Sequence, residues 1–511
     1  MSAALTQAET RAAPSALRTD TLADTVVILL ALTAVQRVVG FVRGVLFCRW
    51  LDPLELGEWD MAFGFLLLAS PLIVLGLPGT FGRYVERYRQ QGQLRPFLAR
   101  MALLSTCLMT LGVTTMALAG TWVSELVFGR PDRVELVRLI AACLAIVVTH
   151  NFLMELFTAL RMARLVSTLH FIHSLAFAGI GTALIVGWHA TAASVVLAYG
   201  AASLLCVLGS LVHLRRVWRA AEAPASALSH QSLLARLLPF ALWIWLASWL
   251  ANMFDMADRY MLVHYSGLQA AEALAQVGNY HSSRVVPMLL VSVAALLAGV
   301  ALPHISHDWE AGRRDVVSQR VNLMLKLTGF CLLAGAAIIQ LAAPLLFEHA
   351  FQGKYSGGLS VFPWTLAYCV WFGLIGTVQN YLWCAEKARL VSLAMLAGLV
   401  INVCLNLVLL PPLGLLGAVL ATAAANLAAF ALTCLFAHLC GLRVDPGMWI
   451  ITLLPPVLPL GPWTMLGVLA LFALWAVFGK GLLSEEDRQQ LAATWRRWQL
   501  AGMRIGLTAR S

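Results

Sequence analysis

The sequence predicts an all-α polytopic membrane protein with about 14 transmembrane helices, arranged as two pseudo-symmetric six-helix lobes plus two C-terminal helices. Three observations predict it. Of 511 residues, 60% are hydrophobic and 12% are charged, whereas a water-soluble chain carries roughly 25% charged residues. Mean hydropathy is accordingly high, at +0.81. This balance excludes soluble enzymes, disordered proteins and fibrous proteins. The apolar residues also gather into runs of the roughly 20 residues that cross a bilayer as a helix. Finally, the order of those runs repeats once along the chain.

The runs lie near 23–50, 58–81, 101–125, 136–159, 166–188, 191–213, 236–264, 279–303, 321–347, 359–384, 388–410, 413–437, 447–459 and 463–480. The thirteenth is short and ends in Pro455-Pro456, which favours a tight hairpin with the fourteenth. The first 20 residues are polar and the first run is longer than the core of a secretory signal, so no cleavable signal is expected. Net charge is +10, from 35 Lys and Arg against 25 Asp and Glu. In a chain this apolar, that excess reads as positive-inside bias, and no nucleic-acid partner is expected. With the N-terminus inside, 26 cations fall on inner segments and 5 on outer ones. Both termini are therefore expected in the cytoplasm.

The resulting organisation is a cytoplasmic N-terminus (1–22), an N-lobe of spans one to six (23–213), a cytoplasmic linker loop (214–235), a C-lobe of spans seven to twelve (236–437), two further spans (447–480) and a cytoplasmic tail (481–511). The tail is expected to form an interfacial amphipathic helix. Ser484 and Asp487 fit a capping box, Leu491, Trp495 and Trp498 share a face, and Arg488, Arg496 and Arg497 suit an anionic leaflet. The ten cysteines contain no CxxC pair and read as small buried hydrophobes. His304 and His307 are too little for a metal site, so no metal and no cofactor are expected.

The repeat is carried by short matching segments. Leu56-Gly57-Glu58-Trp59 opens span two and Val277-Gly278-Asn279-Tyr280 opens span eight, 221 residues later. The two spans close with Gly76-Leu77-Pro78-Gly79 and Ala301-Leu302-Pro303-His304. Six spans per repeat keep both halves in the same orientation. Such repeats characterise transporters whose site lies near the bilayer midplane.

Charges inside spans point to function because each costs roughly 2.5–3.5 kcal/mol to insert at a helix centre. Four arginines remain in the spans: Arg37, Arg43, Arg259 and Arg284. Arg37 and Arg43 lie about 120° apart around span one and are expected to border one cavity, with Asp60 as an alternative ion-pair partner. Span seven carries Asp255, Asp258 and Arg259. Arg37 and Asp258 each precede the glycine of their repeat by 20 residues and are expected to face each other, unless Asp258 simply pairs with Arg259. Arg284 and His281 open span eight, where Pro287 is expected to kink the helix. Span four carries His150, Asn151 and Glu155, with Glu155 a candidate proton or sodium site or else an interfacial acid. Asn402, Asn406 and Asn426 read as helix-to-helix glue.

At these residues the sequence resembles the polysaccharide-biosynthesis (O-antigen-type) flippase branch of the multidrug/oligosaccharidyl-lipid/polysaccharide exporter superfamily. The resemblance runs over about 23–440. It rests on Arg43 followed by Arg49-Trp-Leu-Asp-Pro-Leu-Glu-Leu-Gly-Glu-Trp59, on Asp258-Arg259-Tyr-Met-Leu262 with Val277-Gly-Asn-Tyr280 and Arg284, and most specifically on Asn402 and Asn406-Leu-Val-Leu-Leu-Pro-Pro-Leu-Gly-Leu-Leu-Gly-Ala-Val-Leu-Ala-Thr422. The stretch Arg37-Val-Val-Gly-Phe-Val-Arg43 is similar instead to the first span of lipid II flippases, where both arginines face the substrate pyrophosphate and an acid early in span two follows, matched here by Glu58 or Asp60. The close of span two, Gly76-Leu-Pro-Gly-Thr-Phe-Gly-Arg-Tyr-Val85, departs from that branch.

The resemblance implies a flippase of the cell inner membrane that is not an enzyme and serves polysaccharide or lipopolysaccharide biosynthesis. Its substrate would be an undecaprenyl-pyrophosphate-linked oligosaccharide bound by Arg37, Arg43 and Arg284. Asp258, Asp60, Glu155 and Asp255 would serve coupling or gating. Its partners would be that glycan, membrane lipids and other glycan-assembly membrane proteins. No ATP motif is present, so an H+ or Na+ gradient or the membrane potential would drive it. Three alternatives stay open: a lipid II flippase, a cation-coupled small-molecule antiporter of the same superfamily, and a membrane glycosyltransferase or polymerase. The antiporter would need an acid-rich cavity and the enzyme a long outer loop bearing acids.

Overall fold

Residues 22–220, 230–478 and Arg488 are described by the computed structural model, and among them every regular element is a helix. The helices are α1 (Leu22–Trp50), α2 (Pro53–Ile73), α3 (Phe81–Gln90), α4 (Leu94–Leu118), α5 (Gly120–Phe128), α6 (Val134–Ala159), α7 (Ala163–Gly187), α8 (Ala192–Ala220), α9 (His230–Tyr265) and α10 (Ala270–Arg284). They continue with α11 (Pro287–Glu310), α12 (Arg314–Leu345), α13 (Ser356–Cys384), α14 (Ala388–Leu413), α15 (Leu415–Leu439), α16 (Pro446–Thr452) and α17 (Pro462–Phe478). Eleven candidate spans of sufficient length and apolarity occur among the described residues, together with two shorter apolar segments, Pro446–Leu460 and Pro462–Ala476. Each predicted span coincides with one of these helices or segments or with α1. Much of the expected linker loop and nearly all of the expected amphipathic tail lie outside the described residues.

The chain divides into two compact units, Met1–His281 and Ser282–Ser511. In the first, α2 does not run through to residue 81 as one helix. It stops at Ile73, Leu75 and Gly76 turn left-handed (φ 48° and 65°), and a 3₁₀ turn over Leu77–Thr80 leads into α3. Gly76 is required here: a Cβ would lie 2.8 Å from Cβ of Trp245 and 2.9 Å from the Ala241 carbonyl oxygen on α9. The repeat-related Pro303 interrupts nothing, because α11 carries it internally to Glu310. The α3 helix then lays Phe81, Tyr84, Val85 and Tyr88 onto Phe97 and Met101 of α4 and Phe157 of α6, while Arg83 and Arg87 stay exposed.

The second unit is closed by polar contacts to main chain. Trp371 donates to the Thr452 carbonyl (2.7 Å), Asn380 to Ala298 (2.8 Å) and Gln340 to Leu458 (3.0 Å). The buried Lys326 pairs with Asp445, which also caps α16 by accepting from Gly447 N. On α14, Asn402 reaches Thr422 of α15 (3.5 Å) and accepts from Asn406 at its side-chain oxygen (3.1 Å), which knits the hairpin together. The expected kink in span eight is a full break, with a turn at Val285–Val286 separating α10 from α11. The thirteenth run is two pieces, α16 and a 3₁₀ segment over Pro455–Leu460. Proline cannot donate within a helix and clashes with the preceding turn, which accounts for the interruption at Pro455-Pro456.

Candidate functional site: a polar helix junction and a membrane-level cavity

In the first unit the two glycines of the repeat lie against each other. A Cβ on Gly57 of α2 would run into the carbonyl oxygen of Leu274, and one on Gly278 of α10 would run into that of Pro53. Each obstructing residue precedes the opposite glycine by four, so the crossing has a local twofold symmetry. Glycine permits this approach because apolar surroundings supply little hydrophobic force and close backbone packing replaces it. One turn further along both helices, the repeat-related Asp60 and His281 pair at 2.8 Å.

Three acids of α2 each fasten a neighbouring element. Glu55 accepts from the Ala192 amide at the start of α8 (2.7 Å). Glu58, 2% exposed, pairs with Arg133 (2.7 Å). Asp60 pairs with Arg259 of α9 (3.2 Å) as well as with His281. Arg259, also 2% exposed, reaches Asp255 on its own helix. Asp258 is buried and accepts from the Tyr280 hydroxyl at 3.1 Å. Outside the spans, the Arg130 guanidinium hydrogen-bonds Asp132, holding that carboxyl below its usual range and raising its own.

The junction answers part of the sequence expectation. Asp60, Asp255 and Arg259 are brought together, Tyr280 donates to Asp258, and Arg259 reaches Asp60 and Asp255. Arg37 is exposed on α1 and has no hydrogen bond or ion pair with a described residue, so it does not meet Asp258 in this structure. Arg43 folds over the Phe177 ring of α7, with its guanidinium carbon 4.3 Å from the centroid. Arg284 is half-buried as the last residue of α10, beside the helix break.

Glu155 lines a cavity of about 420 Å³ within the first unit. Ser70 comes from α2, Asn151 and Glu155 from α6, His170 from α7, Tyr199 from α8 and Asn252 from α9. The broken end of α2 closes one side through Val74, Gly76, Pro78 and Gly79. Asn151 donates to Ser70 (3.0 Å) and Asn252 to the Leu67 carbonyl (3.2 Å). Sequence reasoning singled out His150 but missed the rest of the wall behind the cavity. His150 stacks on His173 (5.2 Å) and meets His170 edge-on (6.3 Å), while Tyr199 packs edge-on to His173 and Phe177. His170 and His173 are three apart on one helix, but nothing in the linear pattern says that Tyr199 faces them.

The long apolar helices make this a multi-pass membrane protein. Residues 22–309, more than half of the chain, match the profile of the family described as polysaccharide biosynthesis protein, and the chain belongs to that family. By fold it is similar to the lipid II flippase MurJ in an inward closed conformation, with TM-score 0.67 and 12% identity over 89% of this chain and 98% of that one. It is also similar to an inward-facing multidrug resistance MATE family transporter of the MOP superfamily, with TM-score 0.64 and 14% identity over 81% and 98% of the two chains. A further similar structure is a MOP superfamily transporter from Pyrococcus furiosus, with TM-score 0.53 and 14% identity over 83% and 98%. A comparison with curated proteins finds no significant match.

Proposed function

We propose that this protein is a flippase, not an enzyme, which carries an undecaprenyl-pyrophosphate-linked oligosaccharide from the cytoplasmic to the outer leaflet of the inner membrane. The observation that carries the reading is a cavity between spanning helices, lined in part by hydroxyl, amide and carboxyl groups, in a chain of the polysaccharide biosynthesis family. A sugar crossing the bilayer needs such a shielded polar path, while its lipid tail stays among the apolar helices. Arg37, Arg43 and Arg284 supply cations for the pyrophosphate, since guanidinium forks bind phosphate oxygens two at a time. Asp60, Asp255 and Asp258 serve gating, through the junction that joins α2, α9 and α10. An ion gradient or the membrane potential supplies the driving force. Glu155 is the single carboxylate among the described residues that line the cavity, which disfavours export of small cations.

Glycan export in a strain lacking the gene, with protein level checked by blot, tests the cation assignment. Arg43→Ala is expected to reduce export roughly tenfold or more, and Arg43→Lys by less, because lysine keeps the charge but loses the fork and much of the ring stacking. Full export by Arg43→Ala at normal abundance would refute the role.

Orientation has its own test. A single cysteine at Gln91, exposed after α3, is expected to label only from the cytoplasm, and one at Gln352, exposed before α13, only from outside. Both test chains start from a background without the ten native cysteines. Cytoplasmic labelling at Gln352 would contradict the span map from that point.

A further inference from the structure

We propose that the cavity of the first unit is the subsite for the uncharged sugar portion of the cargo, selecting neutral hydroxyl-rich glycans, N-acetylated ones included, over uronic or other acidic ones; this rests on the flippase reading above. The lining carries the argument. Its polar side chains are hydroxyls, amides, an imidazole, a phenol and one carboxyl group, and no Lys or Arg is among the described residues that line it. The cation over Phe177 is spent on a ring outside that lining. A pyrophosphate therefore has no partner of opposite charge in this cavity, while a polyhydroxylated ring has many partners of the right kind.

Two of those groups are uncommitted among the described residues. Neither Glu155 nor His170 makes a hydrogen bond or an ion pair with any described residue. Carboxylates and amides suit adjacent sugar hydroxyls because each offers two polar atoms side by side. Asn151 and Glu155 are one helical turn apart on α6 and both line the cavity, so they present such atoms in a row. Tyr199 adds an aromatic surface for the apolar face of a sugar ring. That ring is buttressed by His173, Phe177 and Phe63 at centroid distances of 5.2, 5.2 and 5.4 Å, so it is held in place before ligand arrives. A volume of about 420 Å³ falls within the roughly 300–1,000 Å³ of small-ligand sites. An acidic sugar here would meet the Glu155 carboxylate with no Lys or Arg among the described lining residues, and like charges at short range repel.

The test uses the purified full chain in detergent and saturation-transfer NMR with two soluble probes, the uncharged N,N′,N″-triacetylchitotriose (chitotriose below) and trigalacturonate, and a binding assay with sugar-free undecaprenyl diphosphate alongside. Chitotriose is expected to bind roughly tenfold or more tightly than trigalacturonate. Glu155→Gln should shrink that ratio by improving the acidic probe, and Asn151→Ala should weaken chitotriose. Thermal melting checks that each variant is folded, and Asn151→Asp serves if Asn151→Ala is not. It should weaken the acidic probe further. Equal or tighter binding of trigalacturonate, or a ratio untouched by Glu155→Gln, overturns the proposal. Binding of the sugar-free carrier with neither trisaccharide bound at millimolar concentration removes the sugar subsite but leaves the flippase reading standing. If neither the sugars nor the carrier bind, both readings fall.

Discussion

Gly57→Ala is expected to be among the most damaging single-methyl changes in the chain. The new Cβ would collide with the backbone oxygen of Leu274, and a backbone atom cannot swing aside as a flexible side chain can. Forcing α2 and α10 apart loosens the crossing and the Asp60–His281 pair beyond it, at a cost of about 3 kcal/mol or more. Gly278→Ala should do the same through the Pro53 oxygen, because the two contacts mirror each other. Melting of the purified variants in detergent measures the effect. Gly179→Ala on α7 is the control: its Cβ would meet nothing within 4 Å, so helix propensity alone predicts a neutral or slightly stabilising change. A Gly57→Ala protein that melts like the parent would contradict the close crossing.

The second large effect is expected at Arg259. Its guanidinium is 2% exposed and reaches Asp60 and Asp255. Arg259→Met would leave the buried Asp60 without that cation, and removal of one partner from a buried ion pair costs about 3–5 kcal/mol. Asp60→Asn added to Arg259→Met removes the stranded charge and should restore part of the loss. The double-variant comparison is informative because a purely steric role for Arg259 predicts no recovery. Chemical unfolding in detergent of the parent, Arg259→Met, Asp60→Asn and the double variant gives the answer.

The spans were largely legible in the sequence because bilayer thickness imposes a length that local composition reveals. Their interruptions were less so. Pro287 and Pro455-Pro456 marked two of them, but the left-handed Leu75-Gly76 break depends on how closely α9 approaches. The repeat aligned Gly57 with Gly278 and Arg37 with Asp258 on equal terms, yet only the first pair meets. Positions related by a twofold axis touch only when they lie near it. Gly57 and Asp60 lie near it and meet Gly278 and His281, whereas Arg37 is an exposed residue of α1 and Asp258 turns toward Tyr280. Sequence spacing carries no information on that distance. The cavity shows the same limit. Asn151 and Glu155 share a helix face and could be singled out, while Ser70, His170, Tyr199 and Asn252 come from four other helices and converge only in three dimensions.

Translocation of a lipid-linked glycan is the activity proposed for this protein. The direct measurement reconstitutes the purified protein into liposomes bearing a fluorescent undecaprenyl-diphosphate oligosaccharide and follows its movement between leaflets with a membrane-impermeant quencher. The protein is expected to speed exchange well above protein-free liposomes, and Arg43→Ala to slow it. Exchange no faster than in protein-free liposomes, under every imposed H+ or Na+ gradient and membrane potential, would contradict the proposed activity.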